Sequence, residues 1–170
     1  MDSTTGVEIE TLEGHSERVT SVSFSPNGKN IASSSDDGTV KLWELYNGRE
    51  IKTLKDDSQK VINYFKTVCS VIFSPNGKTI ASASNYGVNF WDSRTGEIET
   101  FKRYPDGFYS HDGLPRCLES SPGRYNILRL SPNGKTIASA SGGKTIKLWD
   151  ISTGREIKTF KGHSEGVNSV

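Results

Sequence analysis

The chain has 170 residues, which fits one domain, and its 21 basic and 20 acidic residues give a net charge of +1. The balanced charge argues against the clustered basic surface that binds nucleic acid, and no apolar run reaches the roughly 18 residues of a membrane-spanning helix. No basic and apolar leader opens the chain and two cysteines are too few for a disulfide framework, so we expect a cytoplasmic protein that does not contact membranes.

A five-residue string, Ser-Pro-Asn-Gly-Lys, recurs along the chain. It occupies 25–29, 74–78 and 131–135. All three tryptophans follow this string at nearly the same distance, at Trp43, Trp91 and Trp149. A sustained period of this kind is the signature of a tandem repeat, so we expect three structural units of one kind.

The first unit predicts four short strands, at 19–24, 31–35, 39–43 and 50–54. Apolar and polar residues alternate in the first of them, as in a half-buried strand. Ser25-Pro26-Asn27-Gly28 then has the composition of a tight turn, since proline presets φ and Asn-Gly supplies positive φ. Short strands joined by such turns, with no helical period, predict an antiparallel meander.

The same pattern recurs twice, so the units cover about 18–54, 67–101 and 126–160. Both ends of the chain align with parts of the repeat. We therefore predict an outer strand at 7–12 and the start of a further unit at 163–170. Two insertions, 55–66 and 102–124, separate the three units.

These repeats resemble the WD40-repeat family of β-propeller proteins. The resemblance is carried by Gly14-His15, Asp37, Trp43-Glu44, Trp149-Asp150 and Gly162-His163. It implies an all-β fold, a partial β-propeller of three four-stranded antiparallel blades plus flanking strands. The near-identical turns are similar to those of bacterial tandem arrays.

The resemblance also implies a hydrogen-bonded chain inside a blade, formed in the first unit by His15, Ser33, Asp37 and Trp43. A buried indole and a buried imidazole both need partners, so we interpret these residues as structural rather than as a catalytic triad. The other two units depart from this pattern, and Trp91 and Trp149 are expected to lack the relay. No metal site, cofactor or catalytic residue is predicted, since histidines and cysteines are scattered.

Propellers close with four to eight blades, so three blades would expose apolar end faces. Two interpretations stay open. The chain is part of a larger propeller, or several copies complete a ring by self-association.

A non-catalytic scaffold that binds other proteins or peptides is the function that the resemblance implies. Both insertions are expected on one face of the array, where long loops commonly carry function. The second contains the contact residues Tyr104, Phe108, Tyr109, His111 and Arg116. A tolerated insertion without a binding role is the alternative for this loop.

Two other functions are disfavoured by the sequence. A hydrolase with its active site in the propeller channel would need paired carboxylates or a histidine at the starts of the innermost strands, and the sequence has neither there. A nucleic-acid-binding platform is disfavoured by the balanced charge. We therefore do not expect an enzyme.

Overall fold

The computed structural model describes residues 11–55, 67–84, 87–103, 127–140, 145–151, 153, 155–164 and 167. These residues form twelve β-strands arranged in three sheets. Within the same residues, no helix is long and apolar enough to cross a membrane.

Each sheet has four antiparallel strands in the order of the chain. Blade one contains β1 (Val19–Phe24), β2 (Asn30–Ser35), β3 (Thr39–Glu44) and β4 (Glu50–Lys55). Blade two contains β5 (Val68–Phe73), β6 (Thr79–Ser84), β7 (Gly87–Asp92) and β8 (Ile98–Arg103). Blade three contains β9 (Ile127–Leu130), β10 (Thr136–Ala140), β11 (Thr145–Asp150) and β12 (Glu156–Lys161). The three meanders confirm the all-β prediction.

The outer strands run slightly further than the sequence predicts. β4 continues to Lys55, which pairs with Thr39, and β8 continues to Arg103, which pairs with Gly87. Each outer strand therefore enters its predicted insertion, because the neighbouring third strand still offers backbone partners there.

The predicted flanking strands receive no support from the described residues. Of the outer strand expected at 7–12, residues 7–10 lie outside the described part, and residues 11–12 are not in a strand. The described residues between 163 and 170 are not in a strand either.

Every blade has a register irregularity beside its tryptophan. In blade one Leu42 pairs with Lys52 while Trp43 pairs with Glu50, which leaves Ile51 as the extra residue. The same shift occurs in the other two blades, between Phe90 and Trp91 and between Leu148 and Trp149. A bulge of this type bends the strand and redirects side chains. The three blades therefore share this local geometry as well as their sequence pattern.

The hydrophobic core lies between the sheets. β1 contacts β5, and β5 contacts β9, so the first strands of successive blades are neighbours. Between blades one and two the core consists mainly of Ala32, Val40, Leu42, Leu54, Val68, Val71, Phe73, Ile80 and Trp91. Between blades two and three it consists of Ala81, Ala83, Val88, Phe90, Leu128 and Ile137. Each blade thus buries apolar surface against the next, which is the main stabilising contribution in a repeat array.

The repeated turns also connect neighbouring blades. A Cβ placed on Gly77 would lie 3.5 Å from Cδ of Pro26, and one placed on Gly134 would lie 3.1 Å from Cδ of Pro75. The proline of one turn therefore packs against the glycine of the next turn. Both glycines also have φ near +70°, a conformation that other residues adopt at a cost.

Candidate functional site

A chain of hydrogen bonds runs through blade one and joins all four of its sequence-predicted residues. Trp43 on β3 is only 2% exposed, and its Nε1 donates to Ser33 Oγ at 2.7 Å. Ser33 Oγ lies 2.7 Å from His15 Nε2. His15 Nδ1 lies 2.8 Å from Asp37 Oδ2.

The direction of each bond follows from what the groups can donate. An indole N–H only donates and an ionised carboxylate only accepts, so Ser33 accepts from Trp43, and Asp37 accepts from His15 Nδ1–H. Nε2 of the neutral imidazole is then the acceptor for the Ser33 hydroxyl. We assign this tautomer from the network of partners. Each of these groups is paired, so the network holds the segment around His15 against the inner strands.

Asp37 connects this relay to the turn between β2 and β3 through hydrogen bonds. Its Oδ1 accepts from the backbone N–H of Thr39 at 2.9 Å and from the Thr39 hydroxyl at 2.6 Å. Its Oδ2 also accepts from the backbone N–H of Ser16 at 3.1 Å. Burial alone would raise the pKa of Asp37, but the hydrogen bonds from Thr39 and His15 outweigh it and hold this pKa below its ordinary value of 3.8.

The other two tryptophans keep the first link of the relay. Trp91 Nε1 donates to Ser82 Oγ at 2.8 Å, and Trp149 Nε1 donates to Ser139 Oγ at 2.9 Å. The expectation that both lack the relay is therefore wrong for the serine link, which is a local pairing of two neighbouring strands. Where the sequence departs from the aspartate, at residues 85–86 and 143, the positions lie outside the described residues.

The predicted partner-binding residues are not among those that the structure describes. Tyr104, Phe108, Tyr109, His111 and Arg116 all fall between 103 and 127, and the first insertion falls largely within 56–66. Among the described residues, no group of three or more histidine, cysteine or carboxylate side chains could hold a metal ion.

A cavity of about 190 Å³, not predicted from the sequence, lies between blades one and two. It lies where the Ser-Pro-Asn-Gly turns meet, and its walls include Pro26, Asn27 and Asn30 of blade one and Phe73, Asn76 and Ser93 of blade two. The sequence signal for it is a difference between repeats, since Leu42 and Ser93 of the cavity wall correspond to the larger Phe90 and Ile151 in the next pair of blades.

Among the described residues, the outward face of blade one exposes apolar side chains. Phe24 is 64% exposed, whereas Phe73, its equivalent in blade two, is 9% exposed because blade one covers it. Val22 and Val71 differ in the same way. At the other end of the array, Phe160 on β12 is exposed, while its equivalent Leu54 is buried.

Stacked four-stranded meanders, each with an indole bonded to a serine of the second strand, are consecutive blades of a β-propeller. The family model described as "WD domain, G-beta repeat" matches residues 6–44, 51–92 and 108–150, well over half of the chain. The chain therefore belongs to the WD40-repeat family.

The chain is similar to two curated fungal proteins over most of its length. It is 29% identical over 161 residues to nuclear distribution protein PAC1 of Arthroderma otae, covering 94% of this chain and 32% of that protein. It is 27% identical over 159 residues to nuclear distribution protein nudF 1 of Talaromyces marneffei, covering 94% and 30%. The chain thus spans about a third of the length of these relatives.

Two solved structures have the same fold. The structure of U3-55K and the crystal structure of RRP9 WD40 repeats each align with a TM-score of 0.74 at 17% sequence identity. Each alignment covers 93% of this chain and 43% of the other. At this identity the likeness shows the fold alone.

Proposed function

We propose that this chain is a non-catalytic scaffold that binds other proteins or peptides and forms part of a larger propeller. The observation that supports a scaffold is the relay of blade one. Its histidine, aspartate and serine have the residue types of a hydrolytic triad, but Ser33 is 5% exposed and already bonded to the Trp43 indole. A nucleophile needs access to substrate, and this serine has none.

The second insertion is the proposed contact with a partner. It begins where β8 ends. In each antiparallel blade, the turn between the second and third strands lies at this same end. Its aromatic and arginine residues are types that dominate binding energy at interfaces. The test is to replace Tyr104, Phe108 and Tyr109 with serine and to measure capture of binding proteins from an extract of the source cells.

Tyr46 offers a matched control for this experiment. It lies in the turn between β3 and β4, at the opposite end of blade one, and is 96% exposed. Tyr46→Ser makes the same chemical change on the other face. We expect capture to fall at least tenfold for the loop variant and to stay unchanged for Tyr46→Ser. Equal capture by the two variants would place the partner site elsewhere.

Further blades are the proposed cover for the two apolar end faces, supplied by the same protein or by a second copy. The outward face of blade one repeats residues that are buried between the blades inside the array. Light scattering across a concentration series tests the second copy. A discrete oligomer that dissociates in Phe24→Ser but not in Tyr46→Ser supports self-association, whereas a monomer at all concentrations contradicts it.

The cytoplasmic location stays a prediction, and one observation opposes it. Cys69, half-buried on β5, is disulfide-bonded, and disulfides rarely persist in a reducing cytosol. Alkylation of thiols in intact cells, followed by fractionation and mass spectrometry, tests the location. Alkylated Cys69 in the cytosolic fraction supports the prediction, and an unmodified disulfide in another fraction overturns it.

A further inference from the structure

The cavity between blades one and two is bordered by asparagine amides whose Nδ2 groups donate to no other group among the described residues. In each turn the asparagine Oδ1 is already engaged. Asn27 accepts from the Ser25 hydroxyl at 2.7 Å and from the Lys29 backbone N–H at 3.0 Å. Asn76 accepts at the same two distances from the equivalent residues of its own turn. Because these bonds fix the amide oxygens, the Nδ2 groups are the ends left to donate.

A third amide comes from the start of β2. Asn30 uses its backbone to close the turn, where its N–H donates to Ser25 Oγ at 2.9 Å. Its side-chain amide makes no hydrogen bond within the part of the chain that the structure describes. The equivalent residues of the other blades are Thr79 and Thr136, so this side-chain amide is specific to the first cleft.

Differences among the repeats leave room in the first cleft. The positions of Leu42 and Ser93 are occupied by Phe90 and Ile151 in the second cleft, where both pack into the core between blades two and three. The second pair of turns also lies closer together, since the Cβ position of its glycine is 3.1 Å from the proline instead of 3.5 Å. The first cleft therefore has smaller side chains than the second at these two positions, and its turns lie slightly further apart.

We propose that this cleft binds a short, uncharged peptide segment of a partner. Carbonyl or carboxamide oxygens of the segment accept hydrogen bonds from Asn27, Asn30 and Asn76, and a small apolar group packs against Leu42 and Phe73. The volume of about 190 Å³ is smaller than a drug-sized pocket and suits one side chain with its flanking backbone. This inference rests on the proposed peptide-binding function and adds a second contact to it.

The lining favours a neutral ligand over an anion. None of the described residues that line the cavity carries a charge, and an ionised carboxylate is costly to desolvate without a charged partner. A peptide oxygen or a carboxamide, in contrast, needs only the donors that the asparagines supply.

The experiment is an NMR titration of the full chain that follows the side-chain NH₂ signals of Asn27, Asn30 and Asn76. The probes are N-acetyl-glutamine methylamide and its anionic counterpart N-acetyl-glutamate methylamide. We expect saturable shifts of these three signals with the glutamine probe, and binding at least threefold weaker for the glutamate probe. No saturable shift at tens of millimolar, or equal binding of the two probes, overturns the proposal.

Two variants copy the second cleft into the first. Ser93→Ile and Leu42→Phe each place the larger residue of the next repeat in the cavity, and we expect each to weaken the glutamine probe at least tenfold. Ser93→Ala is the matched control, because it removes the same hydroxyl, which donates to the Gly77 carbonyl at 2.7 Å, and leaves the space open. Unchanged binding in both filled variants overturns the proposal. Because the probes replace the partner, this result is independent of the capture assay on the insertion.

Discussion

The relay of blade one predicts that Ser33→Ala destabilises the protein more than the same change at Ser82. Ser33→Ala leaves the Trp43 N–H without its acceptor and removes the hydroxyl that donates to His15 Nε2. Ser82→Ala leaves only the Trp91 N–H without its acceptor among the bonds described. Both indoles are 2% exposed, so the burial of the two donors is matched.

The expected magnitudes follow from these lost bonds. A buried donor without a partner costs about 1–3 kcal/mol, and the further hydrogen bond lost with Ser33 adds about 0.5–1.5 kcal/mol. We therefore expect the free energy of unfolding to fall by about 1.5–4.5 kcal/mol for Ser33→Ala and by about 1–3 kcal/mol for Ser82→Ala. Ser33→Thr keeps a hydroxyl at the same position and should recover most of the loss.

Urea unfolding followed by tryptophan fluorescence measures both variants under one set of conditions. The slope of the free energy against urea must stay constant for the comparison to hold, because a changed slope reports a different unfolded or native state. Hydrogen exchange at the three indole N–H groups shows which blade has opened. A loss for Ser82→Ala that equals or exceeds the loss for Ser33→Ala would refute the view that the relay adds stability beyond the indole–serine bond.

Two further predictions concern the same blade. Gly14→Ala should lower the free energy of unfolding by about 1–3 kcal/mol through crowding, because its Cβ would lie 3.0 Å from Cη2 of Trp43. Gly162→Ala is the control, since Gly162 has a similar φ and open space around it. Equal melting temperatures of the two variants would contradict the crowding. Because folding lowers the pKa of Asp37, its contribution is complete at neutral pH and is lost as the pH falls below about 4. As the pH is lowered, the free energy of unfolding should therefore fall more steeply for wild type than for Asp37→Asn. Parallel curves of this free energy against pH would show that Asp37 does not contribute.

The sequence predicts some hydrogen bonds of the candidate site and does not predict others. The indole, serine, histidine and aspartate of blade one carry a recognisable pattern, since a buried N–H requires an acceptor wherever it occurs. The serine partners of Trp91 and Trp149 are not predicted when the relay is treated as one four-residue pattern. Its first link depends only on two adjacent strands, so it survives where the rest of the pattern is lost.

The sequence by itself determined the local structure and its repetition. The Ser-Pro-Asn-Gly turns set their own backbone conformation through proline and glycine, and alternation of apolar and polar residues set which face of each strand is buried. These are short-range effects that every copy of the repeat carries within itself. Only the tertiary structure decided how Pro26 meets Gly77 and why a cavity opens beside them. Those contacts join residues about fifty positions apart, and their fit depends on side-chain volumes in two blades at once, which no single repeat specifies.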